Sequence, residues 1–170
     1  RRRVPYIYAP SQIADLVAEA GRLPSPYGLR AALWQTLFGL IAVTGMRVNE
    51  ALSLDQQDVD LDRAVLTLRN TKNGKDRQLP VNGDTAHRLA RYAELRDRLV
   101  PRQSPRFFIK EDGEPAGDCG ARYNFAQVSR NIGLRSSQAF NRHGHGPRIH
   151  DLRHTFAVHT ILDWFRDGRD

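Results

Sequence analysis

From residue 13 onward, apolar positions recur at helical spacing. Ile13, Leu16 and Val17 give a first helix its inner face, with Ser11 as its N-cap and an end at Gly21. The stretch Leu23-Pro24-Ser25-Pro26-Tyr27-Gly28 breaks the pattern as a loop. Leu29 to Val43 is apolar on nearly all sides and predicts a long, largely buried helix closed by Thr44-Gly45. A short helix restarts at Met46 and runs to about Leu52. From Asp58 the period changes. Val59 with Leu61, then Val65-Leu66-Thr67-Leu68, then Gln78-Leu79-Pro80-Val81 read as three short strands. Asn73-Gly74 is a turn signal, so the segment between the last two strands is a basic hairpin tip carrying Lys72 and Lys75. Asp84 to Val100 returns to helix with Ala86, Leu89, Ala90, Ala93 and Leu99 inward, and Phe107-Phe108-Ile109 is a short buried element. Ala121 to Ile132 predicts another helix and Arg135 to Gly146 a polar loop. A last helix follows Pro147, anchored by Ile149, Leu152, Phe156 and Ile161.

The composition narrows the partners. The 170 residues suit one domain with a real core. Twenty-six Lys and Arg against nineteen Asp and Glu give a net charge of +7, which favours an anionic partner, nucleic acid or an acidic membrane surface. Arginine exceeds lysine, which suits forked binding of phosphate. Arg1-Arg2-Arg3 reads as the end of a basic linker or as a solvated tail. The single cysteine, Cys119, excludes an internal disulfide and a thiolate zinc cluster and reads as a buried or incidental thiol. No signal peptide is visible. The longest apolar run, Leu33 to Val43, is too short and too interrupted to span a bilayer, so the expected location is the cytoplasm.

The candidate chemistry lies in three places. His150 and Arg153 stand three apart and point the same way on a helix. A guanidinium suits two phosphate oxygens at once, and an imidazole moves a proton near neutral pH. Arg47 follows a Thr-Gly helix break, with Glu50 three residues on as an ion-pair partner that aims the guanidinium. Lys72 sits on the hairpin, with Lys75 as the competing lysine. The blander readings are an ordinary polar pair for His150 and Arg153, a plain ion pair for Arg47 and a solvated turn for Lys72. His154 reads as a structural or supporting group, and His143 and His145 as solvent-exposed loop residues.

Three boxes in order carry a resemblance. Thr44-Gly45-Met46-Arg47-Val48-Asn49-Glu50-Ala51-Leu52 resembles the TGxRxxEL box of the tyrosine recombinases, the phage-integrase family. Thr71 to Val81 resembles that family's lysine hairpin, and His150-Asp151-Leu152-Arg153 its H-x-x-R box, over roughly Ile7 to Phe165. The resemblance implies an α+β, mainly α domain, a helical bundle with a small three-stranded antiparallel sheet carrying the lysine. It also implies site-specific recombination or integration, cutting double-stranded DNA through a 3′-phosphotyrosine and rejoining it, with no metal, nucleotide or other cofactor. Arg47 and Arg153 would hold the non-bridging oxygens, Lys72 would protonate the leaving 5′-oxygen, and His150 would assist, with Glu50 and His154 in support.

The family's Gly-His and its nucleophilic tyrosine have no match, since Tyr6, Tyr8, Tyr27, Tyr92 and Tyr123 all precede His150. By this resemblance residues 1–170 are a catalytic domain, C-terminally incomplete, without the N-terminal DNA-clamping domain. The longer parent is expected to work as a tetramer on DNA and this chain to be a monomer inactive in cleavage, with no membrane association. Two rivals stand beside this reading. One is a non-catalytic DNA-binding module of the same fold. The other is a metal hydrolase, suggested by His150 and His154 at i, i+4 with Asp151 between them.

Overall fold

A computed structural model describes residues 4–69, 76–101, 104–136 and 146–168. Among them are the helices α1 (Pro10–Ala20), α2 (Leu29–Thr44), α3 (Val48–Leu52), α4 (Gly83–Leu99), α5 (Asp118–Asn131) and α6 (Ile149–Arg166), with strands β1 (Val59–Asp60), β2 (Val65–Leu68) and β3 (Arg77–Pro80). The expected mainly helical α+β class is the observed one. The strands form an antiparallel sheet in the order β1-β2-β3, with Leu66 opposite Leu79 and Leu68 opposite Arg77. Leu66 and Leu68 are buried while β3 is largely exposed, so the sheet turns one face to the core and β3 is its open edge.

The core gathers on α2. Leu29, Leu33, Trp34, Leu37, Phe38, Leu40 and Ile41 are all buried, on several sides of the helix, because α1, α4 and α6 each pack against it. Burying each such side chain contributes roughly 1.5–3 kcal/mol relative to leaving it in water. Phe38 meets the Phe125 ring of α5 edge-on at 5.3 Å.

Three expectations are corrected, and one pair of alternatives is decided. The first helix starts at Pro10 with Ala9 as its cap, so Ser11 lies inside the first turn. Pro10 lacks only an N–H that would have no helical partner there, and the Gln12 side chain accepts the Ala9 N–H at 2.9 Å. On α4 the buried residues are Thr85, Leu89, Tyr92, Ala93 and Arg96, and Leu99 packs inward as expected, whereas Ala86 and Ala90 are only half-buried. Arg96 is tolerated inside because it donates to the Phe107 carbonyl at 2.9 Å and to Asp97 at 2.7 Å, with its guanidinium 5.1 Å from the Phe107 ring centroid. Cys119, at the start of α5, is exposed, which leaves the incidental reading and removes the buried one. Ile161 is no anchor. Its α6 packs through Ile149, Leu152 and Thr155 and then runs past the body, leaving Ile161, Leu162, Trp164 and Phe165 exposed.

The segment before α1 is strapped to α6. Tyr8 is fully buried; its N–H donates to Thr155 Oγ1 at 3.0 Å and its hydroxyl to the Arg148 carbonyl at 3.0 Å. Thr155 Oγ1 itself donates a hydrogen bond to the Asp151 carbonyl at 2.8 Å. Asp151 in turn caps α6, accepting the Arg148 N–H at 2.8 Å. These bonds fix the height and rotation of the helix that bears His150 and Arg153.

Candidate functional site

The site is built around the turn that ends α2. Thr44 closes the last turn by donating from Oγ1 to the Leu40 carbonyl at 2.6 Å. Gly45 then takes a left-handed conformation, φ 62°, as the C-cap. Its α-carbon faces the ring of Phe156 on α6 so closely that a Cβ would overlap the ring. Met46 goes into the core, and Arg47 becomes the N-cap of α3.

Glu50 ties that cap together. Its Oε2 accepts the Arg47 N–H at 2.8 Å and its Oε1 accepts Arg47 Nη1 at 2.8 Å. A second guanidinium arrives from the sheet: Arg77 Nη2, at the start of β3, lies 3.3 Å from Glu50 Oε2. Burial alone would raise the Glu50 pKa, but the two Arg47 hydrogen bonds and the charges of Arg77 and Arg47 outweigh it and hold the carboxyl below its usual range. The expected Arg47–Glu50 pairing is therefore present, and it orients the guanidinium while leaving the Arg47 side chain 43% exposed.

Arg153 reaches the same turn from α6, donating from Nη1 to the Gly45 carbonyl, two residues before Arg47. Among the described residues its remaining nitrogens have no hydrogen-bond partner. Partial burial first, then the charges of Arg47 and Arg77, depress its pKa, with Glu50 opposing. His150, one turn earlier on α6, is exposed at its outer side. Partial shielding from water lowers its pKa, helped by His154, Arg153 and Arg47, with Asp151 opposing. The Arg47 charge thus bears on both α6 residues. His154 packs edge to face on His150, ring centroids 4.8 Å apart.

Glu50 thus pairs with Arg47 and Arg77, while the charge of Arg47 bears on Arg153 and His150, an arrangement suited to an anion that two guanidinia can fork. Lys72 and Lys75 lie outside the described residues, as do His143 and His145. The base of their hairpin is described: Arg69 binds the buried Asp58 at 2.6 Å. No group of three or more His, Cys, Asp or Glu among the described residues is placed to hold a metal ion, so the His150–His154 pair has no third ligand there. A groove of about 710 Å³ between α1, α2 and α4 contains none of these residues. No described helix is long and apolar enough to cross a membrane.

Arg77 does not stand out in the sequence, where the two lysines are the candidates in its hairpin. Its signal was the antiparallel register: a residue opposite Leu68 at the foot of the hairpin stands beside the turn before α3.

The domain is thus mainly helical with a three-stranded sheet, and it seats Arg47 and Arg153 at one turn. The phage integrase family model matches residues 8–162. The integrase/recombinase y4rB of Sinorhizobium fredii is 37% identical over all of this chain and 54% of its own length. The tyrosine recombinase XerC of Roseiflexus castenholzii is 29% identical over 94% of this chain and 48% of its own. Of solved structures, the XerH site-specific recombinase bound to difH substrate superposes with TM-score 0.73 at 20% identity, over 95% of this chain and 44% of that one. The chain belongs to the phage integrase family. It spans about half the length of the curated relatives it matches.

Proposed function

We propose that residues 1–170 form the catalytic domain of a tyrosine-type site-specific recombinase that acts on double-stranded DNA. The observation that supports this best is the contact of Arg153 with the Gly45 carbonyl, which seats the H-x-x-R arginine beside the Arg47 turn. In the proposed reaction a tyrosine hydroxyl oxygen attacks a backbone phosphorus, the bond to the 5′-oxygen breaks, and a 3′-phosphotyrosine forms. Attack by a 5′-hydroxyl on that intermediate reverses the step on a new strand. The ester energy is kept throughout, so joining needs no cofactor.

Arg47 and Arg153 hold the non-bridging oxygens and stabilise the charge that grows in the transition state, Glu50 aims Arg47, and His150 bonds the phosphate with His154 behind it. Lys72 gives its proton to the leaving 5′-oxygen. The proposed assembly on DNA is a tetramer of the longer polypeptide, with the 170-residue chain monomeric in solution and the cytoplasm as its compartment.

The reading that the test has to exclude is a DNA-binding module of the same fold without chemistry. A nicked suicide substrate separates the two. The longer polypeptide should yield a phosphotyrosyl–DNA adduct that survives EDTA, with Arg47→Ala or Arg153→Ala lowering the yield by orders of magnitude. DNA binding with no adduct from the longer polypeptide would leave the module reading standing.

A further inference from the structure

We propose that Arg77 is a positioning residue for the arginine clamp, acting through Glu50; this rests on reading the site as a phosphodiester clamp. Arg77 opens β3, opposite Leu68, on the strand that emerges from the lysine-bearing segment. Its Nη2 approaches at 3.3 Å the same Glu50 oxygen that accepts the Arg47 N–H at 2.8 Å. The Glu50 side chain is 12% exposed, against 47% for Arg77 and 43% for Arg47, so one shielded carboxylate lies between two half-open guanidinia.

That geometry does two things. First, Arg77 holds the outer side of the carboxylate, so Glu50 keeps both oxygens on Arg47 and the guanidinium stays aimed. Second, sharing the single negative charge leaves Arg47 with unspent positive charge for a phosphate. Without Arg77, the full charge of Glu50 falls on Arg47 and competes with the substrate. The other foot of the hairpin is tied elsewhere: Arg69 binds Asp58 at 2.6 Å and lies 3.9 Å from Asp76. Of these two ties, only that of Arg77 reaches the clamp, so it joins the start of β3 to the Arg47 turn.

The test is single-turnover cleavage at saturating DNA by the longer polypeptide, which removes any general loss of DNA affinity. Arg77→Ala should slow cleavage about ten-fold, within the range for coupled neighbours, and Arg77→Lys should recover part of the rate. In a Glu50→Gln background, Arg77→Ala should change the rate less than about two-fold. Equal slowing in both backgrounds overturns the proposal, because Arg77 would then act on DNA directly. Rescue of Arg77→Ala by a 5′-bridging sulfur overturns it as well, since the defect would lie in protonating the leaving group.

The link itself is read separately in the 170-residue chain, by carbon NMR of the Glu50 carboxyl. Arg77→Ala should raise its pKa, and an unchanged titration overturns the proposal. If the wild-type longer polypeptide forms no adduct while this shift is present, the recombinase reading fails and the Arg77–Glu50 link stands.

Discussion

Arg153 on α6 donates a hydrogen bond to the carbonyl of Gly45, 108 residues earlier in the chain. Through it the end of α2 and the first turns of α6 become one surface, and the Phe156 ring packs on the same glycine. Gly45 is therefore doubly constrained, by its positive φ and by the ring against it.

Gly45→Ala should destabilise the fold by about 1–3 kcal/mol, because the left-handed backbone and the ring both oppose a side chain. Phe156 must move, and the turn that receives Arg153 moves with it. Urea unfolding should show a lowered midpoint, and DNA affinity should fall with it. An unchanged midpoint would mean that the turn is looser than its geometry.

Thr155→Val should cost about 1–3 kcal/mol by leaving the buried Tyr8 N–H without an acceptor. Because Thr155, on the buried face of α6, holds the Tyr8 N–H, the amides of residues 4–9 should also exchange faster with deuterium. Normal protection there would show that Tyr8 is held by its hydroxyl and packing alone.

The pH dependence follows from His150 and Glu50. The folded pKa of His150 is lowered, so in the window just below about 6.5 the unfolded chain binds more protons and stability falls as pH falls. The folded pKa of Glu50 is also lowered, so its contribution is present above the unfolded carboxylate value and is lost as pH drops through the folded one. Denaturation midpoints from pH 8 to pH 3 should therefore decline in two acid-side stages, and His150→Gln should remove the upper one. Nitrogen-detected NMR should also show the His150 pKa rising when duplex DNA binds, since a phosphate favours the imidazolium. A His150 titration unmoved by DNA would place the phosphate elsewhere.

Much of this was legible in the sequence because it is local. The all-round apolar run of α2, the Thr-Gly break, the three strands and the polar i, i+3 pair of α6 each follow from spacing within a few residues. The misses but one are long-range. The burial of Arg96 depends on Phe107, which supplies a carbonyl and a ring from outside the helix. Ile161 fits the helical period of α6, yet period says nothing about where the body of the protein stops. One miss alone is local: Pro10 at the first helical position makes Ala9 the cap and puts Ser11 inside the first turn. In the site, Arg47, Glu50, His150 and Arg153 could be named from their boxes. Arg77 needed the register of β3 against β2 before its reach to Glu50 appeared.

DNA binding by the 170-residue chain should be weak and salt-dependent, with the logarithm of affinity falling linearly against the logarithm of salt. Arg153→Ala should weaken binding and reduce that slope by about one phosphate contact. Titration of a short fluorescent duplex at several salt concentrations measures both. An affinity indifferent to salt would contradict a phosphate-directed surface.

The most direct measurement is a structure of this chain bound to a DNA duplex. One backbone phosphate should lie within about 3 Å of nitrogens from both Arg47 and Arg153, with His150 bonded to the same group. Arg47 should remain paired to Glu50 in that complex. If the two arginines hold different phosphates, or if Arg153 stays on the Gly45 carbonyl with no phosphate near its other nitrogens, the clamp is not a single site and the account fails.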